Sequence, residues 1–151
     1  MAFDVRASIE AIHGYLTASG YANRVQVGEP KQPPSEEIMA AVYMRSSTVT
    51  RVYLGGDTGE SHIVSIRLHM DMLHEPPEEV EYRLALAVSK ISSDLLGDYE
   101  LGGTIREIDA AGMNGTPMSA TWGYVTISDR MFRTVEITVP MNVDGSATAA
   151  P

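Results

Sequence analysis

The segment 61–73, SHIVSIRLHMDML, places Val64, Ile66, Leu68, Met70 and Met72 on every second position, with Ser65, Arg67, His69 and Asp71 between them. Side chains of an extended chain point alternately to opposite faces, so this spacing predicts a long strand with one buried and one wetter face. Residues 131–143 repeat the pattern: Val135, Ile137, Val139, Met141 and Val143 alternate with Glu136, Thr138, Pro140 and Asn142. Pro140 has no N–H to give to a ladder, which points to an edge or a strand end there. Two long strands with one apolar side each need a second layer to cover them.

Two segments have the period to supply it. After Asp4, a helix-capping residue, Val5, Ile9, Ile12 and Leu16 recur at helical spacing until Gly20, which predicts an amphipathic helix over 4–19. Pro76, Pro77, Glu78 and Glu79 form a helix start, with proline in the first turn and carboxylates at the positive end of the helix dipole. Val80, Leu84, Val88, Ile91 and Leu95 then mark one stripe, predicting a second helix over about 77–96. A short strand is expected at 24–27 and another at 37–44, where the β-branched SSTVTRVYL that follows favours strand over helix. Beyond the second helix, β-like stretches occupy 104–110, 118–127 and 131–143, separated by AGMNGTP and SDR.

The expectation is therefore one α+β domain over 1–143, a mixed or antiparallel sheet carrying two amphipathic helices in the order α-β-β-β-α-β-β-β. Residues 144–151, DGSATAAP, offer nothing to bury and are expected to be a flexible tail. Two segments look like protrusions. Gly28, Glu29, Pro30, Lys31, Gln32, Pro33 and Pro34 form a loop too rich in proline for helix or central strand, and Gly55, Gly56, Asp57, Thr58, Gly59 and Glu60 resemble the tip of a hairpin arm. Both are candidate protein–protein contact loops.

At 151 residues the chain suffices for one core, and 11 Lys and Arg against 20 Asp and Glu give a formal charge of −9. No basic stretch is present to grip nucleic acid through its phosphates. The absence of cysteine removes disulfides, thiolate nucleophiles and Cys-ligated zinc. No run approaches the roughly eighteen apolar residues of a membrane span, and the N-terminus does not read as a secretory signal.

Little in the chain points to chemistry. His69, Asp71 and His74 with Glu75 could approach a metal, but the first two fall on the wetter side of a strand, where any hydrophilic residue serves. The glycines of GGDTGE and LGG lack the spacing of phosphate-binding or dinucleotide loops. GxSxG is absent, and no serine is tied by sequence to a histidine and an acid. Asp94, Asp98 and Glu100 near the end of the second helix read as solvated charges, and Trp122 and Tyr124 as core or oligomer contacts. The reading assigns no catalytic, cofactor-binding or metal residue and expects no cofactor and no enzymatic activity.

Taken together, the first helix ending in GY, the GEPKQPP loop, HIVSIRLHMDML, EPPEEVEYRLALAVSKISSDLLGDYELGG and the closing TWGYVTISDRMFRTVEITVPMNVD resemble tail terminator proteins of long-tailed bacteriophages, over nearly residues 4–143. That resemblance implies a virion protein at the head-proximal end of the tail, assembled in the host cytoplasm. It implies a homo-oligomer, a hexameric ring, that sits on the tail tube, stops tube polymerisation and offers its other side to the head–tail connector. DNA would pass through such a ring without specific binding, in keeping with the acidic charge. It transfers no individual site residue. A neck or tail-completion protein of the same assembly is the nearest alternative, followed by a small α+β ligand-binding domain or enzyme.

Overall fold

The structure, a computed structural model, describes residues 4–29, 38–73 and 76–146. Helix α1, Val5–Ser19, begins where Asp4 accepts a hydrogen bond from the Ala7 N–H at 3.0 Å and ends at Gly20, whose φ of 76° is left-handed. β1 (Arg24–Val27) lies parallel to β2 (Ile38–Val52), which runs antiparallel to β3 (Asp57–Asp71). α2 is Pro77–Gly97, and β4 (Glu107–Ile108), β5 (Ser119–Ile127) and β6 (Arg130–Ser146) follow. β6 pairs antiparallel with the whole length of β3, from Phe132 to Ser146, and its other side is shared by β5 and β4. The result is the α+β mixed sheet expected, in the order α-β-β-β-α-β-β-β.

Register explains the core. Ala40, Leu68 and Val135 are opposite one another across β2, β3 and β6, as are Val42, Ile66 and Ile137. That face is covered by Ile9, Ile12 and Leu16 of α1 and by Val80, Leu84, Ala87, Ile91 and Leu95 of α2, all buried in one cluster. Both helices therefore lie on the same side of the sheet. On α2 the fully buried position is Ala87, with Val88 only packed against the rim of the core.

The polar positions of β3 depart from expectation. Ser65 and His69 are as buried as the apolar residues beside them, at 0% and 1% exposure, so only Arg67 and Asp71 keep this side the wetter one. Ser65 is accommodated because its hydroxyl donates to Glu136 at 2.8 Å, whereas His69 lies between its cross-strand neighbours Met39 and Thr134. Alternation reports which positions share a face, not whether water reaches it.

Boundaries shift in four places. β2 is one 15-residue strand to Val52, its register against β3 shifting between Met44 and Ser46 and again between Val49 and Arg51. β3 begins at Asp57, so Asp57, Thr58, Gly59 and Glu60 belong to a strand and not to a loop. β6 continues through Asp144, Gly145 and Ser146, which pair with Gly59, Thr58 and Asp57; main-chain pairing holds this stretch although its side chains offer little to bury. Residues 147–151 of the expected tail lie outside the described residues. Pro140 sits inside β6, opposite Ile63, yet its other side falls between the stretches paired with β5 and β4, where no donor is required of it. Its carbonyl there accepts from the Asp109 N–H at 2.9 Å. Of the stretch expected as strand at 104–110, only Glu107–Ile108 pairs.

After α2 the chain turns tightly around Asp98. Its carboxylate takes the Gly102 N–H at 3.0 Å and the Tyr15 hydroxyl at 2.5 Å, tying the end of α2 to α1. The hydrogen bond to Asp98, then loss of solvent and the negative charge of Asp98, hold the Tyr15 hydroxyl above its ordinary pKa. Leu101 adopts φ 47°, a conformation that costs a non-glycine residue roughly 1–2 kcal/mol, and its complete burial in the core offsets that cost.

Candidate assembly surface

The helices end before the sheet does. Among the described residues, β2 beyond Met44 has no partner on its outer side, and its residues from Arg45 to Val52 are exposed. Together with the first residues of β3 and the last of β6 this forms an arm, closed by a turn in which the Tyr53 N–H donates to the Asp57 carbonyl at 2.8 Å and the Gly56 N–H to the Tyr53 carbonyl. Gly55 and Gly56 hold φ near 94° and 92°, which the turn requires and side-chain-bearing residues resist. The arm is apolar where it is most exposed: Val49 at 60%, Val52 at 70%, Tyr53 at 42% and Leu54 fully.

Of the residues singled out by composition, Gly55 and Gly56 are at this tip, whereas Asp57, Thr58, Gly59 and Glu60 are paired between β2 and β6. Gly145 lies under them so closely that a Cβ on it would collide with the Glu60 carboxylate. Gly28 closes β1, its N–H donating to the Val42 carbonyl at 2.7 Å, and Glu29 follows it. Pro30, Lys31, Gln32, Pro33 and Pro34 lie outside the described residues.

Composition singled out the glycines of the arm and missed its apolar residues, although VTRVYL stands beside them in the sequence. It also missed the outward side of α2, where Tyr82 is 63% and Leu86 56% exposed, one turn apart.

The base of the arm holds a hydrogen-bonded chain that no local pattern announces. Ser47 Oγ is 2.7 Å from His62 Nδ1, and His62 Nε2 is 3.0 Å from Glu60 Oε1. The register of β2 against β3 sets Ser47 opposite His62 and so brings them together. A serine, an imidazole and a carboxylate in line can relay a proton, but acyl transfer also needs a substrate cleft at the hydroxyl and donors for an oxyanion. A crevice of about 200 Å³ near the base of the arm is lined by Thr50, Arg51, Tyr53, Glu60, Arg106 and Met113 among others, and neither Ser47 nor His62 lines it. The chain is a structural tie across the arm.

On the sheet face away from the helices, Glu136 accepts from Ser65 at 2.8 Å and from the Tyr43 hydroxyl at 3.3 Å, with Arg67 at 3.5 Å and Arg45 at 3.6 Å. Burial pushes its carboxyl upwards, and the Ser65 hydrogen bond together with the two guanidinium groups outweighs that, leaving it below its ordinary value. Burial raises the Tyr43 hydroxyl, over whose ring Arg67 lies at 5.4 Å. Farther along, His69 has no hydrogen-bond partner of good geometry at either ring nitrogen among the described residues, although the Met39 and Arg67 carbonyls lie near it, and Asp71 is ion-paired with Arg130. His74 and Glu75 lie outside the described residues, and among the described residues no group of three His, Asp or Glu side chains could hold a metal. No helix is long and apolar enough to cross a membrane, again among the described residues.

No family model matches the chain, and no curated protein matches it. Among solved structures it is similar to the sheath/tube terminator of an extracellular contractile injection system in the extended state, at 14% identity and a TM-score of 0.41. The match covers all of this chain and 62% of that one, so the chain spans less than two thirds of its neighbour's length. A likeness this distant transfers no residue and no role.

Proposed function

We propose that this protein is a tail terminator, a structural subunit that caps a phage-type tail tube as a hexameric ring, stops its growth and presents a surface for head–tail joining. The observation that carries the reading is the arm: β2 continues past Met44 with every residue to Val52 exposed, and the hairpin it forms with β3 ends in four exposed apolar side chains. Exposed apolar surface of this kind is characteristic of contact with another protein. The sequence resemblance to tail terminators supplies the kind of contact, and the formal charge of −9 suits a channel that DNA must traverse without adhering. The partners are further copies of the chain, the tube protein and a neck protein, and the location is the head-proximal end of the tail. The role makes and breaks no bond.

The test is to shorten the arm without disturbing the sheet below it, replacing residues 50–58 by Asn-Gly to close the hairpin early. The shortened protein should keep its circular dichroism and cooperative unfolding while failing to cap purified tubes by electron microscopy. A shortened variant that folds and caps tubes as the parent does would overturn the proposal.

A further inference from the structure

Two exposed apolar patches of this chain lie at opposite ends of the sheet and carry opposite charge. At the arm tip, Val49, Val52, Tyr53 and Leu54 surround Arg51, whose guanidinium lies 5.7 Å from the Tyr53 ring. Residues 45–56 contain Arg45 and Arg51 and no acid, in a chain otherwise rich in carboxylates. On α2, Glu78, Tyr82 and Leu86 recur every four residues along the side turned away from the core, with Glu79 next to them, and all four are exposed. Neither Glu78 nor Glu79 has an ion-pair partner among the described residues, and the same holds for Arg51.

The sheet keeps these patches apart within one molecule. Glu81 binds Arg133 at 2.7 Å, and Arg133 is opposite Met70, so the start of α2 stands over that end of β3. From Met70 to Asp57, where the arm's turn begins, β3 spans about 43 Å at roughly 3.3 Å per residue. A chain cannot satisfy its own patches, but a second copy placed head to tail can satisfy one of them and leave its own free for a third.

We propose that the arm tip of one copy seats on the outward side of α2 of the next, with Arg51 facing Glu78 and Glu79, and with Tyr53 and Leu54 against Tyr82 and Leu86. The inference rests on the terminator reading and names its subunit contact. The contact is heterologous, so it either closes into a ring or propagates, and it does not stop at a two-fold dimer. Apolar burial supplies the attraction, while the opposed charges select this pairing over arm on arm or helix on helix, each of which would set like charges together.

Because the chain contains no cysteine, the contact can be trapped cleanly. The double variant Leu54→Cys/Leu86→Cys, oxidised after mixing with tail tube, should give a ladder of covalent multimers ending at the ring size on a denaturing gel, while each single variant remains monomeric there. In parallel, Arg51→Glu should weaken assembly at least tenfold, and adding Glu78→Arg and Glu79→Arg should restore it. Dimers from Leu86→Cys alone would reveal a two-fold helix contact and overturn the proposal. A closed ring by sedimentation or microscopy with no ladder would overturn this contact and leave the terminator reading standing. A protein that stays monomeric both free and with tube would sink both.

Discussion

His69 is enclosed at 1% exposure with neither ring nitrogen in a hydrogen bond of good geometry among the described residues, so its neutral form is strongly preferred. Burial lowers its pKa from 6.5 to about 4; the Arg67 charge works in the same direction, and the nearby carbonyls of Met39 and Arg67 oppose it without prevailing. The folded-state value lies below the unfolded one, so the unfolded chain takes up the proton first as pH falls. Stability from this residue is complete above about pH 6.5 and is lost progressively down to about pH 4, amounting to on the order of 3 kcal/mol. Glu136, whose pKa is also depressed, adds a loss that begins lower, as pH falls through the carboxylate range. Urea unfolding between pH 7 and pH 4 should show His69→Leu nearly flat where the parent declines, and Glu136→Gln should flatten only the acid end. At pH 7 His69→Leu should be neutral or stabilising by about 1 kcal/mol, since it removes buried polar atoms that lack partners. A loss above about 2 kcal/mol there would mean the imidazole has a partner after all.

At the level of elements, α2 shows what local pattern can and cannot give. Its start, its end and its buried stripe are readable from Pro77, Glu78, Glu79 and the spacing of Val80, Leu84, Ile91 and Leu95, with Ala87 taking the buried place expected of Val88, because helix capping and amphipathic period are local properties. What its outer side meets is not local, and Tyr82 and Leu86 pass for ordinary surface until the neighbouring elements are in place. The strands divide in the same way. The alternation of 61–73 identifies β3, but its true start at Asp57, the burial of Ser65 and His69, and the proximity of Ser47 to His62 all depend on β2 and β6 lying beside it. Residues 144–146 join a strand for the same reason, with backbone pairing to Asp57–Gly59 standing in for side-chain burial. The helix offers a sharp test of these two kinds of position. Leu84→Asp places an unpaired charge among fully buried neighbours and should cost more than about 4 kcal/mol, enough to unfold a domain of ordinary stability. Leu86→Asp, two residues on and 56% exposed, should change stability by less than about 1 kcal/mol in denaturant titrations while impairing assembly. Equal stability losses at both positions would mean that α2 is buried on two sides.

At the scale of the whole molecule, a repeating polymer needs a reason to stop. Each ring of a growing tube presents the same surface to the next, so growth has no intrinsic end. A cap must bind that surface with one side and expose a different surface on the other, which makes termination a competition between cap and tube subunit for the same end. A sheet covered by helices on one face and carrying an arm beyond them has two unlike sides, as that task demands. On the proposed reading, infected cells making every other virion protein but lacking this chain should accumulate tubes of excessive and scattered length beside heads that carry no tails, counted by electron microscopy of the lysate. Supplying the parent chain from a plasmid should restore a single length, and supplying the arm-shortened variant should not. Absence of all tails would instead make the chain an initiator of tube growth. Tails of normal length that fail to join heads would make it a neck protein, because length would then be set without it.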